Sequence, residues 1–214
     1  MKVGIIAGGP EDLLPDLSAY VNDIDVWIGA DRGAVVLLEK GLPIDYAIGD
    51  FDSIADPQRK SLETKAKVFR KYPSEKNETD LELAIIQAIE LQPQSVYLFG
   101  ATGGRLDHTL VNLQILLRFA EHDMDAAVVD RLNIVTLAQH GTHTIQNDRQ
   151  YPYISFIPMT PTVTGLTLNN FYYPLTDQTI TFGSTLCVSN KLTANCGTFS
   201  IDKGIVLIIK SRDA

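Results

Sequence analysis

The stretch Tyr46-Ala47-Ile48-Gly49-Asp50-Phe51-Asp52-Ser53 joins a short apolar run to a turn carrying two carboxylates one residue apart. The run reads as a buried β-strand, and the glycine lets the backbone bend at its end. Two hard oxygen ligands in so tight a turn can aim at a single divalent cation, which is the chemistry of Mg-nucleotide handling. Asp and Gly also populate ordinary surface turns, so the reading depends on what else the chain delivers to the same place.

On either side of this stretch, short apolar runs alternate with helical patterns through about residue 130. Residues 3–7, 25–29, 46–48, 67–71, 95–99 and 125–129 are rich in Val, Ile, Tyr and Phe and suit strands. Between them, 12–21, 33–40, 57–65, 80–91 and 107–121 suit helices. In 80–91, Leu81, Ala84, Ile85, Ala88 and Ile89 form one apolar face, and Thr79 with Glu82 reads as a capping box. Six strands separated by five helices predict an α/β domain over residues 1–135, built on a parallel, right-handed, Rossmann-like sheet.

The period then changes. Residues 153–157, 162–164, 179–182, 186–188, 198–201 and 205–210 are short β-branched segments punctuated by Gly, Pro or Asn, with no helical face. They predict an all-β antiparallel domain over 136–214, a sandwich or small barrel. Residues 133–138 could close the first sheet or open the second.

The net charge of −8 is unevenly spread: residues 136–214 carry +1, so the first 135 carry −9. An acidic half with no basic stripe argues against a surface that tracks nucleic-acid phosphates, and it tolerates a metal-bridged nucleotide well. Cys187 and Cys196 form no metal-ligand pattern and read as reduced thiols. The apolar start is soon broken by Gly8-Gly9-Pro10, and no segment approaches membrane-spanning length. The expectation is a cytoplasmic protein with no membrane partner.

In an open parallel sheet every strand delivers its C-terminal end to one edge. The turns there would be Gly8-Gly9-Pro10, Gly29-Ala30-Asp31-Arg32-Gly33, the Asp50/Asp52 turn, Lys76-Asn77-Glu78-Thr79-Asp80 and the run from Gly100 to His108. Backbone N–H groups of Gly100 to Gly104 can approach phosphate oxygens at a helix start, although this is neither a Walker loop nor GxGxxG. Arg105 adds a fixed cation that can clamp phosphate. Asp80 makes a third carboxylate with Asp50 and Asp52, and Mg²⁺ between them would relieve their repulsion. Asp107 could orient or deprotonate a nucleophile, or cap the helix it opens. Trp27 reads as core.

The ordered set Asp31-Arg32-Gly33-Ala34, Gly49-Asp50-Phe51-Asp52-Ser53, Thr79-Asp80, Gly103-Gly104-Arg105-Leu106-Asp107-His108 and Ser189-Asn190 resembles thiamin pyrophosphokinase in its shorter bacterial form. The resemblance implies transfer of a pyrophosphoryl group from ATP to the hydroxyl of thiamin, giving thiamin diphosphate and AMP. It implies a homodimer in which thiamin lies where the β domain of one subunit meets the α/β rim of the other. Carried over by motif, Asp50, Asp52 and Asp80 look like Mg²⁺ ligands. Asp31, Thr79, Thr102, Gly103, Gly104 and Arg105 fall on the nucleotide, with Asp107 facing the substrate end. Ser189 and Asn190 match the family's β-domain signature and would approach thiamin. The family often follows that Asn with an acid, whereas Lys191 stands here. Tyr173 is the candidate aromatic contact to the cationic thiamin rings, a core position being the other reading. Asp-x-Asp after a strand also resembles the haloacid dehalogenase phosphatases, where the first Asp is a nucleophile. A nucleotide sensor without turnover would use the same loops.

Overall fold

Strands β1 (Lys2–Ile6) and β2 (Val26–Ala30) each bury four consecutive residues. Such a run, without alternation, belongs to a sheet covered on both faces. With β3 (Tyr46–Gly49), β4 (Val68–Lys71), β5 (Ser95–Phe99) and β6 (Asp125–Val129) they pair in the order β4-β3-β2-β1-β5-β6, every pair parallel. The connections are α1 (Arg32–Glu39), α2 (Asp56–Lys65), α3 (Asp80–Glu90), and α4 (Leu106–Gln114) followed by α5 (Leu116–Ala120). The chain winds one way from β1 to β4 and then the other way from β5, so its direction switches between β1 and β5. A ligand crevice belongs beyond the C-terminal ends of the strands at such a point. Trp27 lies in this core at 1% exposure.

The computed structural model describes Met1–Ala214, and the chain divides into two compact units, Met1–Arg131 and Leu132–Ala214. Residues 133–138 thus fall in the second unit as β7 (Asn133–Ala138). That unit adds β8 (Gly141–Gln146), β9 (Tyr153–Pro158), β10 (Thr162–Asn169), β11 (Leu175–Thr181), β12 (Cys196–Ile201) and β13 (Val206–Ser211). Its strands pair antiparallel in two sets, β7-β13-β9 and β11-β10-β12-β8. Phe156 and Ile208 from the first set and Val163, Leu168, Phe199 and Ile201 from the second meet in one apolar core. No helix of the chain is long and apolar enough to cross a membrane.

The expected helix at 12–21 is instead two 3₁₀ turns, Glu11–Leu13 and Leu17–Tyr20. Pro15 explains the break: it offers no N–H and disfavours the helical region for Leu14, which sits at φ −64°, ψ 140°. Asp16 then restarts the chain by accepting from the Ser18 N–H. The expected helix at 107–121 is interrupted at Ile115. Residues 186–188 form no strand. Cys187 points into the core while Leu186 and Val188 face solvent, and only the Cys187 carbonyl joins the ladder, accepting from Phe156 N–H at 2.9 Å. Strand β8 was not expected, because it is polar except for Ile145 and lies at the edge of its sheet.

Candidate active site

The turn after β3 is held by the residue between its two acids. Phe51 is fully buried, stacked on Phe69 with ring centroids 4.6 Å apart, and has φ 58°. A bulky residue with positive φ is a strained outlier, tolerated because the aromatic anchor over-determines it. Asp31 after β2 is similarly unusual at φ 47°. The register Ala30↔Ile48 puts it beside Gly49, and its N–H donates to the Ile48 carbonyl at 2.8 Å. On α3, Thr79 accepts the Glu82 N–H at 3.1 Å, so this cap fixes where Asp80 begins the helix.

These placements gather one carboxylate oxygen from each of Asp31, Asp50 and Asp80 within 4.8 Å of one another. Asp52 is not in the group: its N–H donates to Asp50 Oδ1 at 3.1 Å, while its own carboxylate accepts from the Ser74 hydroxyl. Asp31 accepts from Ser53 Oγ at 2.9 Å on one oxygen, but its other oxygen is buried without a hydrogen-bond partner. A buried carboxylate oxygen left unpaired is costly, and a hard divalent cation would satisfy it. The donor set of three carboxylates therefore fits Mg²⁺.

Sequence reasoning named Lys76 as part of the rim and gave it no role. Its ammonium lies 3.0 Å from Asp80 Oδ1 and 3.8 Å from Asp50 Oδ2, and the side chain is 12% exposed. Burial opposes its charge, yet the hydrogen bond to Asp80 and the charges of Asp80, Asp50 and Asp31 outweigh it and raise its pKa. Burial likewise pushes the Asp80 carboxyl up, with Asp50 and Asp31 adding to the rise and Lys76 opposing it. The lysine's i,i+4 spacing to Asp80 was the signal available in the sequence.

Opposite elements bring the glycine-rich turns together. Gly9 N–H donates to the Gly100 carbonyl at 2.8 Å, and a Cβ on Gly9 would stand 2.4 Å from that oxygen. The turns after β1 and β5 thus meet backbone to backbone, which only glycine permits. Gly100, Gly103 and Gly104 all have positive φ. Asn112 on α4 donates to the Ala101 carbonyl at 2.8 Å, and Thr102 donates to Asp130 at 2.7 Å, pinning the loop. Asp31, Asp50, Lys76, Thr79, Asp80 and Thr102 to Arg105 line one cleft of about 880 Å³, within the roughly 300–1,000 Å³ usual for cofactor sites. Asp52 and Asp107 are not part of its lining. Arg105 and Asp107 form a bidentate ion pair, Nε to Oδ1 at 3.1 Å and Nη2 to Oδ2 at 2.6 Å. The Arg105 hydrogen bond, with the His108 N–H, lowers the Asp107 carboxyl to about 2.

In the second unit, Asn190 is 2% exposed and its amide is spent on backbone: Oδ1 accepts from Tyr173 and Lys191 N–H, and Nδ2 donates to the Tyr173 carbonyl at 2.8 Å. Ser189, at φ 57°, donates its N–H to Ser155 Oγ at 2.9 Å. Tyr173 is 59% exposed and meets Tyr172 edge to face, so it is not a core residue. Lys191 sits over the Tyr153 ring, 4.5 Å from its centroid.

A family model described as thiamin pyrophosphokinase, catalytic domain, matches residues 17–128, and one described as thiamin pyrophosphokinase, vitamin B1 binding domain, matches 142–206. The chain is 43% identical over 211 residues to the thiamine pyrophosphokinase of Bacillus subtilis (strain 168), covering 99% of each sequence. A crystal structure of thiamine pyrophosphokinase from Bacillus subtilis superposes with a TM-score of 0.94 at 41% identity, covering 100% of both chains. One of thiamin pyrophosphokinase from Geobacillus thermodenitrificans gives 0.89 at 43% identity, covering 100% of this chain and 99% of that one.

Proposed function

The chain belongs to the thiamin pyrophosphokinase family, and on that premise we propose that it moves the β- and γ-phosphoryl groups of ATP together onto the hydroxyl of thiamin. It is an enzyme of this class. The observation that carries the finer reading is the Asp31/Asp50/Asp80 cluster sharing one cleft with the glycine loop that ends in Arg105.

In this reading Asp31, Asp50 and Asp80 hold Mg²⁺, which when bound neutralises charge on the triphosphate. Asp52 belongs to the same proposal through its place in the Gly49–Ser53 turn, and it steadies Asp50 through its N–H. The triphosphate lies against the N–H groups of Thr102, Gly103 and Gly104, at the start of α4, where the helix dipole favours anions by roughly 0.3–1 kcal/mol. The thiamin oxygen bonds to the β-phosphorus, the bond from that phosphorus to the bridging oxygen breaks, AMP leaves with the electron pair, and the hydroxyl proton is released. Arg105 stabilises the transferred oxygens, so the enzyme's contribution is position and charge rather than covalent chemistry.

Asp107 orients the thiamin hydroxyl. Held near pKa 2 by Arg105, it is too weak a base to take that proton at neutral pH while the pair persists. We assign thiamin to the face around Tyr173, whose exposed ring can cover a cationic heterocycle. Asn190 acts on that face by fixing the Tyr173 backbone, and Ser189 stands beside it. The working assembly is a homodimer in which residues 132–214 of one subunit complete the cleft of the other. Purified protein given ATP, Mg²⁺ and thiamin tests the function by the mass of its products. AMP and thiamin diphosphate are expected. ADP or free phosphate would indicate a kinase or phosphatase, and unconsumed ATP a sensor.

A further inference from the structure

The Lys76 ammonium occupies a specific position. At 3.0 Å from Asp80 and 3.8 Å from Asp50 it lies between two carboxylates, which is also where a cation shared by both would have to sit. The Pro73 carbonyl accepts from the same ammonium at 3.2 Å. With Asp31 these acids can carry three negative charges, of which the Lys76 ammonium offsets one. Removing the lysine would leave three acids crowded within 4.8 Å and short of a counter-ion.

We propose that Lys76 is a built-in placeholder for the divalent cation, holding the carboxylates assembled in the empty enzyme and competing with free metal for them. Its four-carbon stem is flexible, and its side chain lines the same cleft as the glycine loop. A metal ion arriving on a nucleotide brings phosphate oxygens that accept the displaced ammonium, whereas a free ion brings none. The device therefore makes metal binding conditional on nucleotide. By linkage, the ammonium and the free ion each weaken the other's hold on the acids.

This inference rests on the divalent-cation reading of the cluster, and the test separates the two. Free Mn²⁺ is titrated against nucleotide-free protein by its paramagnetic resonance signal, with and without an ATP analogue carrying a methylene bridge between the α- and β-phosphorus. Lys76→Met is expected to bind free Mn²⁺ about tenfold more tightly than the parent, within the roughly 5–150-fold range of site couplings. Its gain in Mn²⁺ affinity from the analogue should shrink correspondingly, and Lys76→Arg, which keeps the charge, should bind free Mn²⁺ no more tightly than the parent. Equal or weaker Mn²⁺ binding by Lys76→Met, with circular dichroism unchanged, would overturn the proposal and leave the lysine a structural strut. Asp31→Asn addresses the underlying reading: if it binds Mn²⁺ as the parent does with the analogue present, the cluster is not the metal site.

Discussion

Asp107 shows how one contact limits the chemistry a side chain can perform. A carboxyl held below its ordinary value of 3.8, at about 2, stays ionised in the folded protein. Its pairing therefore contributes fully above about pH 4 and is lost as pH falls toward 2. Both partners are solvent-exposed, so salt weakens the effect. Arg105→Met should move the Asp107 carboxyl midpoint back toward the ordinary range, read by carbon-13 NMR titration; an unmoved midpoint would mean the ion pair is not its cause. The paired acids after β3 separate in the same way. Asp50→Asn should lower turnover about a hundredfold or more with the fold intact, whereas Asp52→Asn keeps the N–H that Asp50 accepts and should lower it less. Only Asp50→Asn should abolish binding of free Mn²⁺, because the Asp52 carboxylate is held by Ser74. The sequence showed both acids but not this division, which depends on a hydroxyl 22 positions away. Asp31 joined the cluster through strand register, a relation that no local spacing displays.

Helix α3 was legible almost to the residue, since its cap and its apolar stripe lie in one stretch. The cap also fixes where Asp80 begins the helix. Thr79→Ala should cost about 1 kcal/mol in urea unfolding and weaken Mn²⁺ binding through Asp80. A loss of stability without any change in metal affinity would detach the cap from the site. Helix α1 meets β1 more tightly than sequence could indicate: a Cβ on Gly33 would stand 1.8 Å from the Ile6 carbonyl oxygen. Gly33→Ala should therefore destabilise the first unit by about 3 kcal/mol, measured by the same unfolding curves. Where the reading failed, a local residue overrode the pattern, as Pro15 did at 12–21, or the pattern was absent, as in the polar edge strand β8.

Across the chain, composition and period separated an acidic helix-and-strand half from an all-β half, because the periodicity of apolar residues changes where the architecture does. The order β4-β3-β2-β1-β5-β6 then puts the turns after β1 and β5 at the point where the winding reverses. Five separate turns were assigned to one rim on that general rule, and all five line the cleft together: those after β1, β2, β3 and β5, and the Lys76–Asp80 segment, which supplies the lysine and third acid. The acceptor was not legible from strands and charges; it rests on the motif series and on the vitamin B1 binding match at 142–206. The bond that breaks tests the account most directly. With ATP carrying oxygen-18 in the bridge between its α- and β-phosphorus, thiamin and Mg²⁺, attack at the β-phosphorus predicts the heavy atom in AMP and none in thiamin diphosphate. Heavy oxygen in thiamin diphosphate, or ADP as the nucleotide product, would contradict it.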